Sequence, residues 1–364
     1  MKKTGIALAL SACVCAAPAA HAQSSVTLWG MMDTGVTYVN NQGGHSNVKM
    51  DDGVNGPNLW GMRGVEDLGG GTKAIFELVN QFQIDNGQFM PNKSLFSRTS
   101  LVGLTNDRFG RLTLGNQYDF MTNSLYFGGN DPSELSGHFY DFRAGPFKKL
   151  ALPQNPTGAF DWDRMAGESL NNSVAYVTPK FGGFSAGAMY AFGGVAGSIG
   201  AGNANSFGLN YAAGDFGANA AYTNVKTYVA GSPQISVRTW GVGAHYRFGA
   251  WVTNALFTTV HNSLNGGSVF QGSAGAHYNF TPALSAGASY MYMKGNEVVN
   301  NNHAHQLAAN VDYALSKRTS VYLIGVYQRA NEGANAQING FNSADGASSN
   351  ATQAVARVGI HTRF

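Results

Sequence analysis

The side chains best suited to acid–base or nucleophilic chemistry are His138, His245, His261, His277, His303, His305 and His361. None sits in a G-x-S-x-G or H-E-x-x-H setting, so no local motif assembles a hydrolytic or metal centre. His303-x-His305 reads as the polar start of a strand. Asp51-Asp52 and Asp161-x-Asp163 offer the hard oxygen ligands that Ca²⁺ prefers. Their spacing is short and common, and they read as solvated loop charge. Neither a catalytic residue nor a cofactor is expected. The cations behave differently. Arg63, Lys73, Arg98, Arg111 and Arg357 each fall on the phase opposite the apolar side of their own stretch. Residues 119–170 carry Asp119, Asp131, Glu134, Asp141, Asp161 and Asp163. Charges placed this way act through their field on dissolved ions rather than through bond chemistry.

Extended segments must hold those cations. From Ala354 to Phe364 one side reads Ala354, Ala356, Val358, Ile360, Thr362, Phe364, and the other Val355, Arg357, Gly359, His361, Arg363. The period of two is that of a strand with different media on its two faces. Thr72 to Phe82 splits the same way, with Ala74, Phe76, Leu78 and Phe82 against Lys73, Glu77 and Gln81. Phe184 to Phe192 repeats the pattern. A soluble sandwich alternates too, but here the polar phase is rich in Gly and Ser, which suits the wall of a water-filled bore. A Lys or Arg facing lipid at mid-membrane would cost about 2–4 kcal/mol, so the basic phase must be the inner one. Aromatic pairs gather beside turns, Tyr246 with Phe248, Tyr278 with Phe280 and Tyr290 with Tyr292, as interfacial girdles do.

Composition agrees. Of 364 residues 48 are Gly, and charged residues reach only 12% against 44% apolar, whereas soluble domains carry roughly 25% charge. Lys2 and Lys3, the apolar run Gly5 to Ala17 and Ala20-His21-Ala22 form a secretory signal. Residues 1–22 are therefore expected to be cleaved, leaving one barrel domain, 23–364, without Cys13 or Cys15. Leu10-Ser11-Ala12-Cys13 also resembles a lipoprotein processing site, with Cys13 lipidated. Basic and acidic residues then nearly balance, which argues against nucleic acid as a partner. No later stretch approaches the ~18 apolar residues of a spanning helix.

Tight turns fall at 68–71, 107–110, 181–183, 214–215, 248–249, 280–282 and 316–317. Each joins two strands, and an opening strand near Val26 to Val39 plus the closing one bring the total to sixteen. The count is even, as bacterial barrels require, and wide enough for an aqueous channel. Asn40 to Asn58, Phe192 to Ala204, Asn262 to Gly267, Asn296 to Asn302 and Asn331 to Asn350 read as outer loops. Asp119 to Leu170, long and without alternation, is the connection most expected to carry function.

These residues resemble the trimeric general porins of Gram-negative bacteria, most closely the β-proteobacterial type. Ser24-Ser25-Val26-Thr27-Leu28-Trp29-Gly30 with Asp33 and Gly35 looks like the first strand of that family. Gly61 to Gly71 is similar to its second strand and turn, and Arg98 to Leu104 followed by Phe109-Gly110 to its fourth and fifth. Asn172-Ser173-Val174-Ala175-Tyr176 resembles the strand after the long loop, and Phe364 the terminal aromatic read by the barrel-assembly machinery. The resemblance implies an all-β, 16-stranded antiparallel transmembrane β-barrel in the bacterial outer membrane, a homotrimer, and a long third loop folded into the lumen. It also implies that loop acids (Asp119, Asp131, Glu134, Asp141) face the basic wall (Arg63, Lys73, Arg98, Arg111, Arg357). Relatives commonly carry Arg where this chain has Ala175, which shortens the basic ladder and leaves Arg143, Lys148, Lys149 or Arg164 on the loop to compensate.

The expected function is passive diffusion of small hydrophilic solutes and ions through a water-filled, charge-tuned constriction. A substrate-specific outer-membrane channel is the alternative, with Tyr118, Phe120, Tyr126, Phe127, Phe139, Tyr140 and Phe142 as possible lumen aromatics. An enzymatic barrel and a closed surface adhesin are the other classes weighed; the Asn- and Gly-rich outer loops suit an adhesin and a channel equally.

Overall fold

The computed structural model describes residues 24–90, 94–132, 145–147, 169–228, 231, 234–338 and 346–364. The signal segment and both cysteines lie outside them. Eighteen strand segments form one sheet. The first half holds β1 (Ser25–Gln42), β2 (His45–Asp52), β3 (Leu59–Gly69), β4 (Thr72–Phe82), β5 (Phe89–Met90), β6 (Thr99–Asn106), β7 (Gly110–Tyr118), β8 (Ser169–Val177) and β9 (Phe184–Ala191). The second holds β10 (Ala204–Ala213), β11 (Phe216–Thr227), β12 (Ile235–Phe248), β13 (Trp251–Asn262), β14 (Ser268–Asn279), β15 (Leu284–Gly295), β16 (His303–Ala314), β17 (Thr319–Ala330) and β18 (Thr352–Arg363).

Every pairing is antiparallel, and β18 returns to β1 over Met31↔Arg363 to Val39↔Val355, which closes the cylinder. Gly30 and Phe364 finish the seam by exchanging backbone hydrogen bonds of 3.1 and 3.0 Å. β2 and β3 are two halves of one wall strand, pairing with successive stretches of β1. β5 is a two-residue stub beside β4. Taken so, the wall has the 16 strands expected. All seven short turns are hairpin connections; Gly69, Gly70 and Gly71 take positive φ in the first.

One expectation fails in part. Residues 40–58 are not a plain outer loop, because Gly43-Gly44 turns the chain back into β2. Its alternation of Val48 and Met50 with Asn47, Lys49 and Asp51 was masked by polar neighbours. Both apolar side chains point outward, 68% and 55% exposed.

The predicted strand phases hold. Val102, Leu104, Leu112, Leu114, Val358 and Ile360 are large apolar side chains left exposed on the outer face. A closed barrel satisfies every wall strand's ladder, which is what hydrocarbon demands. Tyr246, Phe248, Trp251, Tyr278 and Phe280 form a run of ring contacts at the short-turn end. Tyr290 and Tyr292 belong instead to the long-loop end of β15, where they meet His305. The two groups mark the two membrane interfaces.

Candidate functional site

The inner wall carries a row of solvated cations near the short-turn end. Arg63 stands directly across the ladder from Glu77. Thr105 pairs with Lys73 on one side and Arg111 on the other, placing those two about 10 Å apart at ~4.8 Å per ladder step. All three cations are exposed on the inner face, and none has an ion-pair partner among the described residues. Glu77 and Arg111 line a cavity of about 520 Å³ together with Thr113, Tyr118, Phe120 and Phe127. Ala175 is buried on the same inner face, in an apolar cluster that includes Phe120 and Met189, and lines the cavity with Phe120.

Arg98 and Arg357 also point inward but do not face open water, which corrects their assignment to the solvated wall. Arg98 donates from Nε to Gln81 Oε1 and lies 6.0 Å from the Tyr118 ring centre. Arg357 is fully buried at the seam. Its Nη2 donates to Asp33 Oδ1 at 3.2 Å and to the Asp51 carbonyl at 2.9 Å. Nη1 donates to Thr37 Oγ1, and Nε to Tyr322 Oη, each at 2.9 Å. Residues 53–58 fold inward over this network: the amides of Val54 and Asn55 donate to Asp33 Oδ1, and Asn58 Oδ1 accepts from the Asp33 amide. A buried pair with all its hydrogen bonds made is a brace whose charge is already spent.

The start of the long connection lies against the inner face of β9 to β14. Met121–Tyr126 make one wide helical turn, and Asp119 caps it. Its Oδ1 accepts from Thr122 N and Oγ1, and its Oδ2 accepts from Thr223 Oγ1 of β11 at 2.8 Å. Asp119 is therefore buried structural glue rather than an exposed acid. Asn130 bonds Asn219 and meets His245 Nδ1 at 2.8 Å. Asp131 is buried, with its carbonyl accepting from Asn254. Glu134 and Asp141, like Asp161, Asp163, Arg143, Lys148, Lys149 and Arg164, lie outside the described residues.

Glycines make room for this segment. A methyl group at Gly208 would sit 2.7 Å from Phe120 Cδ1, one at Gly243 2.7 Å from Asn130 Cβ, and one at Gly275 2.9 Å from Pro132 Cβ. Gly187 meets the Phe120 ring. Further round, Asn302 donates to the Pro146 carbonyl at 2.8 Å. The inner wall was thus vacated on a track running strand to strand. Sequence reasoning noted only that the polar phase is rich in Gly and Ser.

Several inner residues were missed. Arg247 follows from the outward phase of Tyr246 and Phe248, which fixes it on the inner side. Together with His277, His361, Asp312 and Arg363, it enriches the short-turn mouth in titratable groups. His361 and Arg363 border a second space of about 320 Å³ there. Glu77 was legible as Arg63's cross-strand neighbour. Among the described residues no cluster of three His, Cys, Asp or Glu could hold a metal ion.

A family model described as Gram-negative porin matches residues 7–335. Outer membrane porin protein 32 of Delftia acidovorans is 33% identical over 339 residues, covering 88% of each chain. An outer membrane porin of Bordetella pertussis is 34% identical over 206 residues, 53% of this chain and about half of that one, 48%. Among solved structures, the anion-selective porin from Comamonas acidovorans superimposes with a TM-score of 0.76 at 26% identity, covering 94% of this chain and 100% of the other.

Proposed function

Because the chain belongs to the Gram-negative porin family, we propose that its outer-membrane barrel passes small hydrophilic solutes by diffusion and favours anions. One observation carries the preference. Among the described residues, Arg63, Lys73 and Arg111 stand solvated and without an ion-pair partner on the wall, where Glu77 is the neighbouring carboxylate, while the charges of Asp33, Asp119 and Arg357 are spent inside buried networks. Low-dielectric walls focus such an imbalance onto passing ions. The likeness to a porin named as anion-selective supports the sign.

The protein works without bond chemistry, as a homotrimer among outer-membrane lipids. Residues 1–22 direct export and are removed, and Phe364 presents the terminal aromatic to the barrel-assembly machinery. A substrate-specific channel draws support from Tyr118, Phe120 and Phe127 lining the cavity. Planar bilayers test the proposal: the expected record shows three equal conductance steps and a reversal potential of chloride-selective sign in a KCl gradient. Potassium-selective reversal would overturn the preference. Saturating sugar flux would favour the specific channel.

A further inference from the structure

The inner wall of a water-filled barrel is ordinarily polar, yet beside β7 it carries hydrocarbon. Arg111 and Thr113 of β7 pair across the ladder with Val177 and Ala175 of β8, which in turn pair with Gly187 and Met189 of β9. Partners across a ladder share a face, so Val177, Ala175 and Met189 all belong to the bore side. Ala175 and Met189 are buried in the cluster that holds Phe120, and Val177 packs half-buried at its edge. The Phe120 ring lies over Gly187. Arg111 and that ring are thus two ladder steps apart with Val177 between them, about 10 Å at ~4.8 Å per step.

These side chains border a space that packing leaves unfilled. Arg111, Phe120, Ala175, Val177 and Met189 all line the cavity of about 520 Å³. Phe127, in edge-to-face contact with Tyr118 at 5.6 Å, stands 58% exposed beside the same space. An apolar cavity of ~150 Å³ already takes up a benzene-sized ring, so this one has room for a ring, a polar substituent and water. Arg111 has no ion-pair partner among the described residues. The other charged residue of the lining, Glu77, stands across the ladder from Arg63.

We infer that this end of the cavity is a binding subsite for monocyclic aromatic carboxylates: the carboxylate pairs with Arg111, and the ring lies on Val177 beside Ala175, Met189 and the edge of Phe120. Charge and shape select that class together. A guanidinium forms a bidentate, charge-assisted pair with a carboxylate, and the hydrocarbon within two ladder steps of it rewards a flat apolar ring that a small inorganic anion lacks. A neutral ring makes no use of Arg111, and a short open-chain acid covers little of the apolar floor. Anion preference arises from the field of the whole wall, whereas this subsite works by contact. The inference rests on the channel reading for solute access to the bore.

The test titrates the full mature barrel, folded in detergent micelles, with para-fluorobenzoate at neutral pH and reads fluorine NMR line width, with empty micelles as the blank. Trifluorobutyrate supplies a carboxylate without a ring, and para-fluorobenzyl alcohol a ring without a charge. We expect saturable binding of para-fluorobenzoate, at least fivefold tighter than that of either comparison probe. Val177→Asn should lose at least fivefold for the ring acid, and Arg111→Gln should bring the ring acid down to the level of the alcohol. Broadening no greater than that of empty micelles, or a smaller difference in any of these comparisons, overturns the subsite. If Val177→Asn does not fold, Val177→Thr against Val177→Leu decides, with loss in the first and retention in the second expected, and equal binding overturning the subsite. Planar-bilayer current from the same samples reads the channel separately: chloride-selective current without saturable binding overturns the subsite alone, and binding without current overturns the diffusion reading alone.

Discussion

Arg357 and Asp33, 324 residues apart in the chain, meet at 3.2 Å across the line where the last strand closes on the first. Neither side chain is exposed. The contact therefore acts as a clasp on the cylinder and contributes nothing to the field felt by a passing ion.

Removing one half strands the other. Asp33→Asn or Arg357→Gln should lower stability by about 3–5 kcal/mol, the usual cost of leaving a buried charge unpaired. Denaturant unfolding of the detergent-folded barrel measures it. Asp33→Asn combined with Arg357→Leu should cost less than the two single changes added together.

The open cations should govern ion preference. Arg63→Gln, Lys73→Gln and Arg111→Gln are each expected to shift the reversal potential toward potassium, and the three together severalfold in permeability ratio. Glu77→Gln should move it the other way. Equal reversal potentials across the set would remove the wall's role.

Asp119 should be silent in the same assay. Asp119→Ala removes a cap and its tether to Thr223, costing about 1 kcal/mol of stability, with reversal potential unchanged because the carboxylate does not reach water.

The glycine track should be sterically strict. Gly208→Val pushes on Phe120 and Ser124, which can yield only toward the lumen, since the wall behind them is hydrogen-bonded on both sides. Single-channel conductance should fall, and Gly187→Leu should act alike. A rise would mean that the segment leaves the bore.

Strand phase and hairpin turns were legible because each is local: a two-residue period in Ala354 to Phe364, a glycine or proline at six of the seven short turns and Ser316-Lys317 at the other. Phase put Arg357 inside correctly. It could not say that Asp33, Thr37 and Tyr322 were waiting there, since those partners come from strands brought together only by closure. Asp119 was misjudged for the same reason: an acid in a polar loop reads as solvated until Thr223 is seen beneath it. β2 escaped notice because one face of its alternation is Asn, Lys and Asp. The inward fold of residues 53–58 left no periodic trace at all.

Residues 119–132 thicken the arc of the circumference formed by β9 to β14, six of the sixteen wall strands. Among the described residues, the wall of β3, β4, β6 and β7 stays open beside the cavity that Glu77 and Arg111 line. Substitutions beneath the covered arc should be felt as changes in durability, whereas those along β3, β4, β6 and β7 should be felt as changes in which ions get through. Natural drift in transport behaviour among close variants of this chain is therefore expected to concentrate on four neighbouring staves of the cask.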